Sequence, residues 1–246
     1  MTSVNLTFTL FFYALVGGIL PVIIWLLFWL REDKAKPEPK GLLLESFVLG
    51  AIIVFLAYFL EGLFVTPSLT GQLSDFFTNS GPFFYLALVE EGLKFLAMVA
   101  IIYRNRYFDE PIDALVYIMT IALGFASMEN VLFLLNTITT GEPASIFLFT
   151  GGLRFLGASV LHAVSSGLIG AFWALAFYQR RSIKILAVIS GLILAITLHG
   201  LFNFLIIIND GQMMFSVFLS LWIVAMILLF LFECVKRIKP KLNKLI

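Results

Sequence analysis

Polar residues in this 246-residue chain are bunched, and between the bunches run seven apolar stretches. They cover about 5–30, 41–64, 82–103, 113–137, 152–178, 184–208 and 213–235. At about 1.5 Å per residue, each is long enough as a helix to cross a hydrocarbon layer about 30 Å thick. None alternates as a strand does, and a segment in lipid must satisfy its own backbone hydrogen bonds, so the pattern predicts helices. The expected fold is therefore all-α: a polytopic transmembrane helix bundle of about seven membrane-spanning helices, forming one integral membrane domain over 1–246. The first stretch has no basic residue before it and no small-residue cleavage site after it, which predicts a retained helix rather than a cleaved signal peptide.

Composition agrees with this. Hydrophobic residues make up 61% of the chain, charged residues only 13%, and mean hydropathy is +1.04, far from a soluble domain with about a quarter charged. A net charge of +1 gives no reason to invoke nucleic acid. The lone cysteine, Cys234, excludes an internal disulfide and any multi-cysteine metal site.

Charge placement predicts a topology. Of the 16 basic residues, all but Lys94 and Arg154 fall on alternate connections: Arg31 to Lys40, Arg104 and Arg106, Arg180 to Lys184, and Lys236 to Lys244. By the positive-inside rule the N-terminus is expected outside and the C-terminus in the cytoplasm. The longer outer connection, Thr66 to Pro82, is expected to be a surface loop or a flap. Small residues at helical spacing in the fifth stretch (Ala163, Ser166, Gly167, Gly170, Ala171, Ala174) predict close backbone packing and a central place in the bundle.

Ionisable groups inside the apolar stretches carry the chemistry. Glu90, Glu91 and Lys94 lie in the third, Glu129 with Asn130 in the fourth, Arg154 and His162 in the fifth, and His199 with Asn203 in the sixth. A charged group at the bilayer centre costs at least about 2.5 kcal/mol on insertion scales, so such groups must pair, protonate, bind an ion or face water. With the topology above, Glu90, Glu129, His162 and His199 come from four helices yet lie about 12–15 Å below the outer edge. That common level predicts one polar cavity in the outer half of the membrane. The alternative is a polar cluster that glues helices, with Glu90 on Lys94, Glu129 on Arg154 and the histidines on backbone or Ser165.

Two hydrolytic designs suit such a cavity. In one, His162, His199 and a glutamate hold a divalent metal such as zinc while another glutamate activates water. In the other, a buried glutamate serves as base without a metal, and His199 with Asn203 stabilises the oxyanion. No HExxH helix is present, and every aspartate falls in a loop or at a helix end. A dyad of Ser165 or Ser166 with His199 lacks a glycine where Val164 stands.

The motifs resemble the PrsW family of intramembrane proteases. Glu90-Glu91-Gly92-Leu93-Lys94 is similar to its EExxK element, and Phe125 to Asn130 to its FxxxEN element. Phe108-Asp109-Glu110-Pro111-Ile112-Asp113 is similar to its FDEPxD stretch, Arg154 with His162 to its third element, and His199 with Asn203 to its fourth. The matching core runs from about 82 to 208, with 5–64 and 213–235 as peripheral helices. The resemblance implies a membrane endopeptidase, often a metalloprotease, that cuts membrane-anchored protein substrates of the anti-sigma-factor type in the cell membrane. A more distant likeness to CAAX prenyl proteases implies that Glu90 or Glu91 activates water, that Glu129 and His162 assist or bind metal, and that His199 and Asn203 hold the oxyanion. Lys94, Asn130 and Arg154 would support them. The family often has an aspartate where Asn203 stands, which makes this amide a weak candidate for a base or an anionic ligand. A non-catalytic scaffold and an ion-coupled carrier are the competing readings; the carrier lacks an evident inverted repeat.

Overall fold

The computed structural model describes residues 8–31, 36–68, 81–103, 106–208 and 212–240. Among these the regular structure is entirely helical. The helices are α1 (Phe8–Leu30), α2 (Lys40–Ser68), α3 (Gly81–Tyr103), α4 (Asp113–Thr139), α5 (Ala144–Leu153), α6 (Ser159–Leu175), α7 (Arg181–Ile208) and α8 (Met214–Val235). A π-helical turn, Arg154–Ala158, joins α5 to α6 into one continuous rod. Six of the resulting rods are long and apolar enough to cross a membrane; α3 has the length but carries Glu90, Glu91 and Lys94 in its middle.

Two boundaries differ from the sequence expectation. The fifth stretch begins at Ala144, so the connection expected over 138–151 shrinks to Thr140–Pro143. Gly141 makes that tight turn possible with φ of 76°, a conformation open to glycine at little cost. Helix α2 runs on to Ser68, four residues past the expected end at 64. Most of the outer connection read as a loop or flap, 69–80, lies outside the described residues, as do Lys34, Arg104, Asp210, Lys241 and Lys244.

Helices α4 and α6 are the buried centre. Every residue from Asp113 to Ser127 is buried, and so is most of α6, whereas α1, α2, α7 and α8 present Leu20, Ile24, Ile52, Phe59, Ile193 and Phe230 outward. An apolar exterior around a polar-containing centre suits a lipid solvent. Small residues set the packing, as their spacing predicts. A Cβ on Gly170 would lie 2.7 Å from the Ala114 carbonyl oxygen, and one on Gly50 or Gly124 would fall on the carbonyl oxygen of Ile121 or Phe47 respectively. The Gly50 and Gly124 contacts are reciprocal, so α2 and α4 touch backbone to backbone.

The basic connections gather at one end. Lys36 pairs with Asp109 at 2.6 Å, and Phe177 packs against Phe108 with ring centroids 5.5 Å apart. The Asp113 carboxylate accepts the backbone N–H groups of Asp109 and Glu110 at 2.9 and 2.7 Å, closing the turn into α4. Beside it, Tyr117 donates its hydroxyl to the buried carboxyl of Glu38. Burial raises the pKa of Glu38 against the opposing pull of that hydrogen bond.

Candidate active site

Four helices deliver polar side chains to one point between α3, α4, α6 and α7. Glu90, Glu91 and Lys94 come from α3, spaced i, i+1 and i+4, so Glu90 and Lys94 share a face while Glu91 points about 100° away. That angle separates the roles of the two glutamates. Glu91 is fully buried, and its Oε1 accepts from Lys94 Nζ at 2.8 Å, His199 Nδ1 at 2.8 Å and Ser165 Oγ at 3.2 Å. Its Oε2 accepts from Ser166 Oγ at 2.6 Å. Glu90 instead borders the cavity. Its Oε2 is 3.2 Å from Lys94 Nζ, 3.7 Å from His162 Nδ1 and 3.8 Å from His199 Nε2.

Each histidine is held by one carboxylate on one nitrogen. His162 Nε2–H donates to Glu129 Oε2 at 2.7 Å, and His199 Nδ1–H donates to Glu91 Oε1 at 2.8 Å. These bonds fix both tautomers and leave a lone pair on His162 Nδ1 and on His199 Nε2. The two rings meet edge to face, centroids 5.0 Å apart. Lys94 donates to His162 Nδ1 at 2.8 Å, and its ammonium also sits over the Phe125 ring at 4.3 Å.

The π turn aims a second residue of the same rod at this point. Arg154 and His162 are eight residues apart, which in an unbroken α-helix would leave them about 80° apart. Absorbing one residue into a π turn reduces that to about 20°, so both reach Glu129. Arg154 pairs with Glu129 at 2.8 Å and donates Nε to Asn130 Oδ1 at 2.5 Å, with its guanidinium 4.0 Å from the centre of the Phe133 ring. Asn130 in turn donates to Ser159 Oγ at 3.0 Å. The turn's own backbone is served as well: Ser159 N–H reaches back to Arg154 O, and Trp25 Nε1 of α1 donates to Phe155 O at 3.0 Å.

Every site residue expected from the sequence therefore lies in or against one cavity of about 420 Å³, with Glu90, Glu129, Arg154, His162, His199 and Asn203 on its wall. Glu91, Lys94 and Asn130 stand behind them as partners. The pairings of the helix-gluing alternative are present for Glu90 with Lys94 and Glu129 with Arg154. The histidines, however, face carboxylates rather than backbone or Ser165. Two cavity residues were missed: Glu61 and Tyr58 of α2. Glu61 already lies within the second apolar stretch, 41–64, and α2 continues past it to Ser68. A smaller groove between α7 and α8 is lined by Leu198, Leu205, Val217 and Leu221 with no ionisable side chain, and carries no chemistry.

Glu90, His162 and His199 are close enough to hold a metal ion, each offering one ligand atom within 4.8 Å of the others. The third ligand in this group is Glu90; Glu129, expected among the ligands, lies across the His162 ring. Two imidazole nitrogens and a carboxylate oxygen are a zinc-type donor set, and each histidine's second nitrogen already rests on a carboxylate. Three carboxylates, Glu90, Glu91 and Glu129, against the cations Lys94 and Arg154 leave a net negative charge to attract a cation. The residues fit a divalent ion.

The comparisons with known proteins point the same way. Residues 38–232 match the family described as PrsW family intramembrane metalloprotease. The chain is similar to Protease PrsW of Geobacillus kaustophilus (strain HTA426), 28% identical over 221 residues that cover 86% of this chain and 88% of the relative. It is similar to Protease PrsW of Oceanobacillus iheyensis, 28% identical over 221 residues covering 86% and 92%, and to that of Bacillus subtilis (strain 168), 27% identical over 195 residues covering 79% and 83%. No solved structure matches it. With its family match spanning most of the chain and a buried metal-capable group at the meeting point of its helices, this multi-pass membrane protein belongs to the PrsW family of intramembrane metalloproteases.

Proposed function

We propose that this protease hydrolyses peptide bonds of membrane-anchored proteins at the Glu90–His162–His199 group, within the outer half of the bilayer. The observation that carries this reading is the pair of carboxylate-anchored histidines whose remaining lone pairs converge beside Glu90. His162, His199 and Glu90 would hold a divalent ion, which when bound supplies Lewis acidity to water and to the scissile carbonyl. Among the described residues only Oε2 of Glu90 is engaged. Its other oxygen is then the acceptor for the proton of the attacking water and returns that proton to the leaving amine. Glu91 and Glu129 orient the two rings. Asn203, one helical turn from His199 and on the same cavity wall, offers an amide N–H to the place where the carbonyl oxygen gains charge.

One observation favours a second, metal-free reading: the Lys94 ammonium already occupies His162 Nδ1 at 2.8 Å. In that case Glu90 is the base and the Asn203 side-chain amide is the donor to the oxyanion. Elemental analysis of the purified protein decides between them, followed by chelation and add-back against a single-span substrate. Stoichiometric metal with activity lost and restored supports the first; full activity without metal supports the second.

The basic connections at one end of the bundle support a cytoplasmic placement of that end, with all seven rods crossing the membrane and the cavity nearer the outer surface. Anti-sigma-factor substrates, implied by the family resemblance, are the first class to test. A wild-type protein that cuts none of a broad panel of single-span substrates would overturn the proposal.

A further inference from the structure

Glu61 is the cavity acid that the site does not use. It lines the same cavity as Glu90 and Glu129, yet its Oε1 is buried with no hydrogen-bond partner among the described residues. Tyr85 of α3 donates to Leu60 O at 3.0 Å, which fixes this height of α2 against α3 about one and a half turns from Glu90, on the side away from the basic connections. The cations nearby are committed. Arg154 serves Glu129 and Asn130, and Lys94 lies fully buried against Glu90, Glu91 and His162.

A spanning helix satisfies all its backbone groups internally, so a peptide bond cannot be attacked there until the segment unwinds. Unwinding frees N–H donors, and these need acceptors inside a cavity whose wall is otherwise largely aromatic and aliphatic (Phe83, Phe133, Phe202, Ile206, Phe218). We propose that Glu61 is a substrate-binding residue whose free side-chain oxygen accepts a backbone N–H of the unwound segment beside the scissile bond. This rests on the proteolytic reading of the cavity.

The test uses the full chain in detergent and a fluorescein-labelled single-span peptide with only Ala, Gly and Leu around the expected cut. Its Kd is read by anisotropy and its KM and kcat by cleavage. Glu61→Leu should weaken Kd and raise KM by about tenfold, the net value of one hydrogen bond, with kcat within about twofold. Glu61→Gln keeps a carbonyl acceptor and should stay within about threefold of wild type. Unfolding followed by tryptophan fluorescence confirms that each variant is folded; if Glu61→Leu is not, Glu61→Met takes its place. Unchanged Kd in Glu61→Leu overturns the proposal. So does Glu61→Gln behaving as badly as Glu61→Leu, which would point to a required negative charge. A fall in kcat at constant KM overturns it too, in favour of a proton donor. Binding needs no turnover, so a wild type that binds but does not cut defeats only the proteolytic reading. One that does not bind the peptide at all defeats both.

Discussion

Glu91 Oε1 lies 2.8 Å from His199 Nδ1 and lies, on the same oxygen, 2.8 Å from Lys94 Nζ. One buried carboxylate thus aligns a ring and neutralises a cation at once. Its neighbour in sequence, Glu90, is left to face the cavity.

That division predicts different losses for adjacent residues. Glu90→Gln, His162→Ala and His199→Ala should each lower kcat/KM on the order of 10²–10³-fold or more, because each removes a group at the reacting centre. Rates on a single-span substrate check this, with circular dichroism confirming the fold. Retained activity in Glu90→Gln would move the base elsewhere.

Glu91→Gln and Glu129→Gln act through the rings they hold. Each should weaken metal affinity, or activity, by about 10–100-fold. Competition with a chromophoric chelator reads the affinity directly. Loss from Glu91→Gln should exceed that from Glu129→Gln, since Glu91 also satisfies Lys94, Ser165 and Ser166.

The reciprocal contact of Gly50 and Gly124 holds α2, and with it the cavity wall, against α4. Gly124→Ala places a methyl group on the Phe47 carbonyl, and Gly50→Ala places one on that of Ile121. Either should cost at least about 1–3 kcal/mol of stability, the usual penalty of overpacking. Thermal unfolding in detergent measures it. Gly92→Ala, with nothing within 4 Å of the added carbon, is the control and should be neutral or slightly stabilising.

Stability should also depend on pH at the basic end. Burial raises the pKa of Glu38 above its ordinary 4.5, so folding favours the protonated form. The contribution is fully present below pH 4.5 and declines as pH rises through the folded pKa. Glu38→Gln should remove this slope and raise the unfolding temperature at neutral pH relative to wild type. An unchanged slope would place the titration elsewhere.

Much of this architecture can be read from the sequence because lipid imposes simple rules. The apolar stretches mark helices, and the rarity of ionisable groups within them makes Glu90, Glu129, His162 and His199 conspicuous as a set. Three features escape such reading. Glu90 and Glu91 are chemically identical, and only the surroundings of α3 decide which one meets the histidines. Glu61 sits near the end of its stretch with no motif around it, and only the packing of α2 against α3 brings it to the cavity wall. The π turn leaves no mark in a run as apolar as Phe155-Leu156-Gly157-Ala158.

That turn changes how spacing along this rod should be counted. Deleting one residue within 154–158 would straighten the segment and leave Arg154 above His162. A relative in which these two positions are seven apart instead of eight would carry the same site on a plainer helix. Patterns written to find this chemistry in other genomes should therefore tolerate a one-residue gap there.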